Sequence, residues 1–254
     1  MEGNKEQVNE LVIRLSGELA AQGAAAVILL GSNARGDADS RSDIDIYALG
    51  EGPGYTLRII DNRLVSISWH KMEDEYLAFH APERAVYTVP AWRDAVILYD
   101  PSGIADQIKR HALEWTWEEI DPKRIDRYVA DEITGLAEEV VKLVVSMDKH
   151  NWTNAAAQRS VLALRIPIIL AVQKKILYRS ENEVWDKISN IMGHKFSQAM
   201  KQALLCDGIV LTESCQAALD MYYIAAQEVY KTLSPRQKEV VDYACTIAKC
   251  SKTN

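Results

Sequence analysis

The stretch GSNARGDADSRSDIDIYAL, residues 31–49, follows directly on the apolar run AAAVILL and carries Asp37, Asp39, Asp43 and Asp45 among glycine, serine and two arginines. Residues 25–30, AAVILL, read as a buried strand, and SDIDIYAL alternates strictly, which puts Asp43 and Asp45 on one face of a second strand and Ile44 and Ile46 on the other. Two carboxylates at i and i+2 beside a Gly-Ser turn at a strand end suit Mg²⁺ carrying a nucleoside triphosphate. Magnesium takes oxygen ligands and keeps waters and phosphate oxygens in its shell, so one or two protein carboxylates hold it. Gly31 lets the backbone approach a phosphate, the N–H groups and hydroxyl around Ser32 can donate to its oxygens, and Arg35 adds a cationic fork.

The neighbouring segments frame this stretch. Val8, Leu11, Val12, Leu15 and Leu19 recur at helical spacing, so residues 5–22 form an amphipathic helix ending near Gly23. In RLVSISWH, residues 63–70, Val65, Ile67 and Trp69 point one way while Ser66, Ser68 and His70 point the other, as in a strand with a wet face. RAVYTV (84–89) and DAVILYD (94–100) read as further strands of a small mixed sheet. Nine of the twelve glycines fall before residue 104, and long helical patterns take over after residue 120. Asp121 followed by Pro122 has the form of a helix N-cap with proline in the first turn, and the break is placed near residue 118. The fold class is therefore α+β: residues 1–118 hold a small mixed sheet flanked by helices, and residues 119–254 form an all-helical bundle.

With 254 residues, 48% of them apolar, the chain has ample core material. A formal charge of -7 and a pI near 5.3 argue against general affinity for nucleic acid or an anionic membrane, so neither is expected as a partner. The polar start MEGNKEQVNE has no apolar signal core, and VLALRIPIILAV is short and broken by Arg165 and Pro167, so a soluble cytoplasmic protein is expected. Cys206, Cys215, Cys245 and Cys250 show no C-x-x-C spacing and are read as buried or idle thiols.

Gly31-Ser32, Arg35-Gly36, and Asp43-x-Asp45 within SDIDI stand in the order and spacing of the nucleotidyltransferase superfamily that includes DNA polymerase beta, and the stretch resembles that family's signature. Asp37 and Asp39 have no place in the signature and read as loop or turn residues. A looser resemblance extends to the kanamycin (aminoglycoside) nucleotidyltransferases, two-domain enzymes with a helical second domain. It is carried by LVSISWHKMEDEYLAF, by Glu138 and Lys142 in GLAEEVVKL, and by VQKKILYRSENEVW.

The resemblance implies transfer of a nucleoside monophosphate from ATP or another NTP to a hydroxyl on a small, aminoglycoside-like acceptor, with release of pyrophosphate. Asp43 and Asp45 would hold Mg²⁺ or Mn²⁺, and Glu138 would take the hydroxyl proton. Gly31, Ser32, Arg35, Ser42, Lys142, Lys174 and Lys175 would contact the nucleotide, and a homodimer is weakly implied. Glu138 and Lys142 at i, i+4 equally fit a helix-surface ion pair.

Active members of the superfamily usually present a third carboxylate from the strand after the Asp-x-Asp strand, and here Ser66 stands in that place. Three readings follow. His70 approaches the metal or the substrate; or Glu73, Asp74 or Glu75 reaches in through a bulge; or the chain binds nucleotide with impaired catalysis, as a sensor or interaction protein.

Overall fold

The computed structural model describes residues 2–204 and 208–250, except for the side chains of residues 2–6 and 250, and the chain divides into two compact units, Met1–Ile120 and Asp121–Asn254.

In the first unit α1 (Glu2–Ala21) buries Val8, Leu11, Val12, Leu15 and Leu19, the stripe expected from their spacing. It ends at Gly23, whose φ of 102° is open to glycine and costly for other residues. Then come β1 (Ala26–Leu30), the short α2 (Gly31–Arg35), β2 (Ile44–Leu49), β3 (Tyr55–Ile60) and β4 (Arg63–His70). The unit closes with α3 (Met72–Phe79), α4 (Pro82–Asp94), β5 (Val96–Tyr99) and α5 (Ile104–Glu114). The sheet order is β3-β4-β2-β1-β5, with β2 and β4 parallel and the other neighbours antiparallel.

One face of the sheet, built from Val27, Leu29, Ile44, Ile46, Ala48, Val65 and Ile67, packs on the apolar stripe of α1. The opposite face carries Asp45 and Tyr47 on β2 and Ser66 and Ser68 on β4, and α4 and α5 pack against β1. Burial on one face is what holds the register: a slip of one residue would carry Ile44 and Ile46 out of the core and both acids into it.

Two segments differ from the expectation. RAVYTV is not a strand but lies inside α4, where Pro82 occupies the first turn and Ala85, Val86, Val89 and Trp92 are buried at helical spacing. Its valine, tyrosine and threonine favour strands locally, but the apolar period only becomes helical when extended to Trp92, and burial of that stripe outweighs propensity. The structure also adds β3, joined to β4 by a two-residue turn at Asp61 and Asn62, with φ of 50° and 60°.

The second unit comprises α6 (Pro122–Asp148), α7 (Trp152–Gln173), α8 (Glu181–Met192), α9 (His194–Ala203), α10 (Leu211–Val229) and α11 (Pro235–Cys250). Asp121 caps α6, its carboxylate accepting from Lys123 N–H at 2.9 Å. Ile133, Leu136, Val140, Leu162, Ile166, Ile169 and Tyr222 are buried in this bundle, and Tyr222 donates its hydroxyl to the Ile133 carbonyl at 3.2 Å. By length and mean hydropathy (1.5 over eighteen residues) α7 could cross a membrane, yet half of that window is buried, as in a bundle's central helix. Cys215 and Cys245 are free, buried thiols, while Cys206 and the Cys250 side chain lie outside what is described.

Candidate active site

The end of β1, the α2 turn and the start of β2 bring Gly31, Asp43 and Asp45 together, and parallel pairing sets Ser66 of β4 beside Asp45. Ser66 Oγ donates to Asp45 Oδ1 at 2.7 Å. The other oxygen of Asp45 lies against Gly31: a Cβ at that glycine would stand 2.3 Å from Oδ2 and 3.3 Å from Cγ. The absence of a side chain at residue 31 is thus what makes room for the carboxylate, and its φ of 68° is a second reason for glycine there.

Burial, the largest cause, holds the Asp45 carboxyl above its usual range; the Ser66 hydrogen bond opposes it, the neighbouring Asp43 charge adds to it, and the Arg35 guanidinium draws it back. A partly desolvated acid beside a second acid is the electrostatic setting that a bound cation would relieve.

The loop between α2 and β2 is pinned by its own polar groups. Asn33 Nδ2 donates to the Asp43 carbonyl at 2.6 Å, fixing the entry to β2. Arg35 pairs with Asp37 at 3.1 Å. Asp39 accepts the N–H groups of Arg41 and Ser42 at 2.6 and 2.9 Å, and these bonds hold its carboxyl below the usual range. The Ser42 hydroxyl joins that turn, accepting from Asp39 N–H at 2.9 Å. Ser32 contributes its carbonyl, which accepts from Gly36 and Asp37.

His70 and the acids of α3 form a separate constellation. Along β4, His70 lies four residues beyond Ser66, about 13 Å in an extended strand. Its Nδ1–H donates to Glu75 Oε1 at 3.0 Å, and its ring stacks on Tyr47 with centroids 4.3 Å apart. Glu75 is 2% exposed and also accepts from Trp92 Nε1–H at 2.6 Å. The β2–β4 register runs unbroken from Ile44 to Leu49, so no bulge carries Glu75 towards the Asp pair, and the place opposite Asp45 is held by Ser66. Burial, with the Glu75 charge second, pushes the Tyr47 phenol up to about 12. Tyr47 went unassigned in the sequence, and Glu75 was expected there only as an acid reaching the metal through a bulge, not as the buried partner of His70 and Trp92. The alternation that selects Asp43 and Asp45 selects Tyr47 as well, whereas Glu75 gives no local signal. His70→Ala should leave Glu75 buried with one donor fewer and cost about 2–3 kcal/mol, lowering the melting temperature by about 5–10 °C. His70→Gln, which can still donate, should recover most of that loss in the same thermal scan.

The remaining expected contacts lie in the second unit. Glu138, 73% exposed on α6, pairs with Lys142 at 2.9 Å, and Glu139 pairs with the same lysine at 3.2 Å. Lys174 pairs with Glu228, and Lys175 lies in the turn after α7 with φ of 56°. Among the described residues no three histidine, cysteine, aspartate or glutamate side chains converge as a metal cluster, so the acid centre is the Asp43–Asp45 pair.

Comparison with known proteins agrees with this architecture. The profile of the nucleotidyltransferase domain family matches residues 12–146. No curated protein matches the chain. Among solved structures, the chain is similar to a nucleotidyltransferase-like protein from Exiguobacterium sibiricum 255-15, with 14% identity and a TM-score of 0.51. That match covers 87% of this chain and 74% of that one, and at this identity it speaks for the fold alone. The matched segment spans more than half of the chain and contains the Gly31–Asp45 turn and both acids, and on that basis the protein belongs to the nucleotidyltransferase domain family.

Proposed function

We propose that the protein is a metal-dependent nucleotidyltransferase that moves a nucleoside monophosphate from an NTP, ATP among them, to a hydroxyl of a small molecule and releases pyrophosphate. The observation that carries this reading is the placement of Asp45, with one oxygen on Ser66, the other over Gly31, and Asp43 two residues away at the head of the same strand. Two hard oxygen donors at a strand end, one of them seated against a glycine, fit a Mg²⁺ or Mn²⁺ ion with its phosphate. Asp43 and Asp45 would hold the ion, and the ion would supply charge stabilisation at the α-phosphate. Gly31, with no side chain, makes room for the Asp45 carboxylate, and Arg35 supports that carboxylate through its field.

The Ser66–Asp45 bond favours a second reading, a nucleotide-binding protein whose catalysis is impaired, because a neutral donor stands where another ligand acid would complete the charge set. Calorimetric titration with ATP and Mg²⁺, followed by pyrophosphate release with a panel of hydroxyl compounds, separates the two. Tight binding with release is expected for the enzyme, and binding without release from any acceptor would leave the sensor. Glu138→Gln tests the base assignment: as a base its loss should lower kcat by about 10²–10⁴, whereas as a surface ion pair it should leave the rate unchanged.

A further inference from the structure

The strand register carries the site beyond its acids. Leu57 of β3 is opposite Ser66 and Ser66 is opposite Asp45, so the three side chains form one row across the sheet. Tyr55, Ser68 and Tyr47 form the next row, and Ile59 faces Leu64 on the other side of the first. Sidedness is settled by Ile60, which points the opposite way and packs on the α1 core. Tyr55, Leu57, Ile59 and Leu64 are therefore on the same face as the acids, and they are 65%, 53%, 69% and 39% exposed. A contiguous group of four large exposed apolar side chains is unusual on a soluble surface and marks a binding site.

We propose that this strip is the acceptor subsite of the nucleotidyl-transfer reaction, and that it takes a neutral hydroxyl compound with an apolar body rather than a polycation. The inference rests on the reading under Proposed function. Strands are about 4.8 Å apart, so Leu57 lies about 10 Å from Asp45 with Ser66 between them. A molecule whose hydroxyl reaches the α-phosphate at Asp45 can lay its body along this row, across Ser66 and Leu57. The residues it would meet on β3 and β4, namely Tyr55, Leu57, Ile59, Leu64, Ser66 and Ser68, carry no charge. Among the described residues of β2 and its entry the acids on this face are Asp43 and Asp45, which would hold the metal, and Glu75 of α3 is buried and bonded to Trp92 and His70. A polycation needs fixed negative charge along its length, and this side of the sheet offers two serine hydroxyls and an apolar strip instead. In the transfer the acceptor oxygen bonds to the α-phosphorus as the bond to the leaving pyrophosphate breaks, and the hydroxyl proton passes to water.

The test uses the full chain with MgATP and three probes: 2-naphthol and cyclohexanemethanol as neutral alcohols, and kanamycin as the polycation. Saturable shifts of the Leu57, Ile59 and Leu64 methyl resonances on adding the neutral alcohols are expected, together with pyrophosphate release above the MgATP background. Leu57→Glu and the milder Tyr55→Ser should each weaken 2-naphthol binding at least tenfold and leave MgATP affinity within twofold, with an unchanged circular dichroism spectrum. MgATP binding with no methyl shift from either alcohol overturns the proposal, as does turnover of kanamycin but of neither alcohol. A dimer by light scattering that Leu57→Glu converts to monomer also overturns it, because the strip would then be a self-interface. Failure of MgATP itself to bind instead removes the underlying reading, and the acceptor subsite falls with it.

Discussion

Asp45→Asn is expected to lower metal-dependent nucleotidyl transfer about a thousandfold, or to abolish Mg²⁺-dependent nucleotide binding, without unfolding the protein. The variant keeps the shape of the side chain and the acceptor oxygen for Ser66, which sits 2.7 Å away, but removes the charge that a divalent ion requires. The effect on stability has the opposite sign. Burial, foremost, raises the Asp45 carboxyl above its ordinary value of 3.8, so at neutral pH the folded state carries an anion it would rather hold protonated. A group raised in this way favours the folded state below its unfolded pKa, and that contribution is lost as pH rises through its folded pKa. Asparagine has no such loss. The variant should therefore melt slightly above the parent at pH 7, and the gap should close as pH falls through the raised folded value towards 3.8. Isothermal titration with MgATP and thermal scans at neutral and acidic pH read the two effects separately. A variant that binds MgATP as well as the parent would show that the ion sits elsewhere.

Gly31→Ala should be nearly as damaging to activity, for a steric rather than an electrostatic reason. The new methyl would sit 2.3 Å from Asp45 Oδ2, inside the contact limit. The carboxylate is the end of a side chain and can swing, but in doing so it gives up the Ser66 hydrogen bond and the orientation it shares with Asp43. A backbone φ of 68° adds roughly 1–2 kcal/mol for any residue with a Cβ. A loss of about a hundredfold or more in transfer and a fall of about 5 °C in melting temperature are expected. Gly36→Ala is the control: it also has positive φ, at 81°, but no heavy atom lies within 4 Å of its added Cβ. It should lose stability by a comparable amount and keep its nucleotide affinity. If both variants lose nucleotide affinity equally, loop strain and not the approach to Asp45 is responsible.

The stretch from Gly31 to Leu49 was legible because its signals are local. Strict alternation places Asp43 and Asp45 together whatever the sheet does around them, and a glycine after a buried strand marks a place where something must come close. The helices α1, α6 and α7 were legible for the same reason, since each repeats its apolar stripe over several turns. The two failures have different causes: RAVYTV offers strand-forming residues over six positions, and its helix is settled by burial of Val89 and Trp92 against other elements. The β3 hairpin hides behind an Asp-Asn turn whose positive φ values are less expected than those of an Asn-Gly pair.

The sequence by itself determined that two acids share a strand face beside Gly31 and Ser32, and that the polar face of RLVSISWH carries Ser66, Ser68 and His70 and no acid. Only the tertiary structure decided that Ser66 bonds Asp45, that Glu75 is buried under His70 and Trp92, and that Leu57 extends the row of Asp45 to an exposed edge. Ser66 and Asp45 are 21 positions apart and Leu57 and Asp45 are 12 apart, and both relations run through pairing whose register depends on which face each strand buries. Period and propensity describe one strand at a time, and a neighbouring strand enters only when the core closes over both.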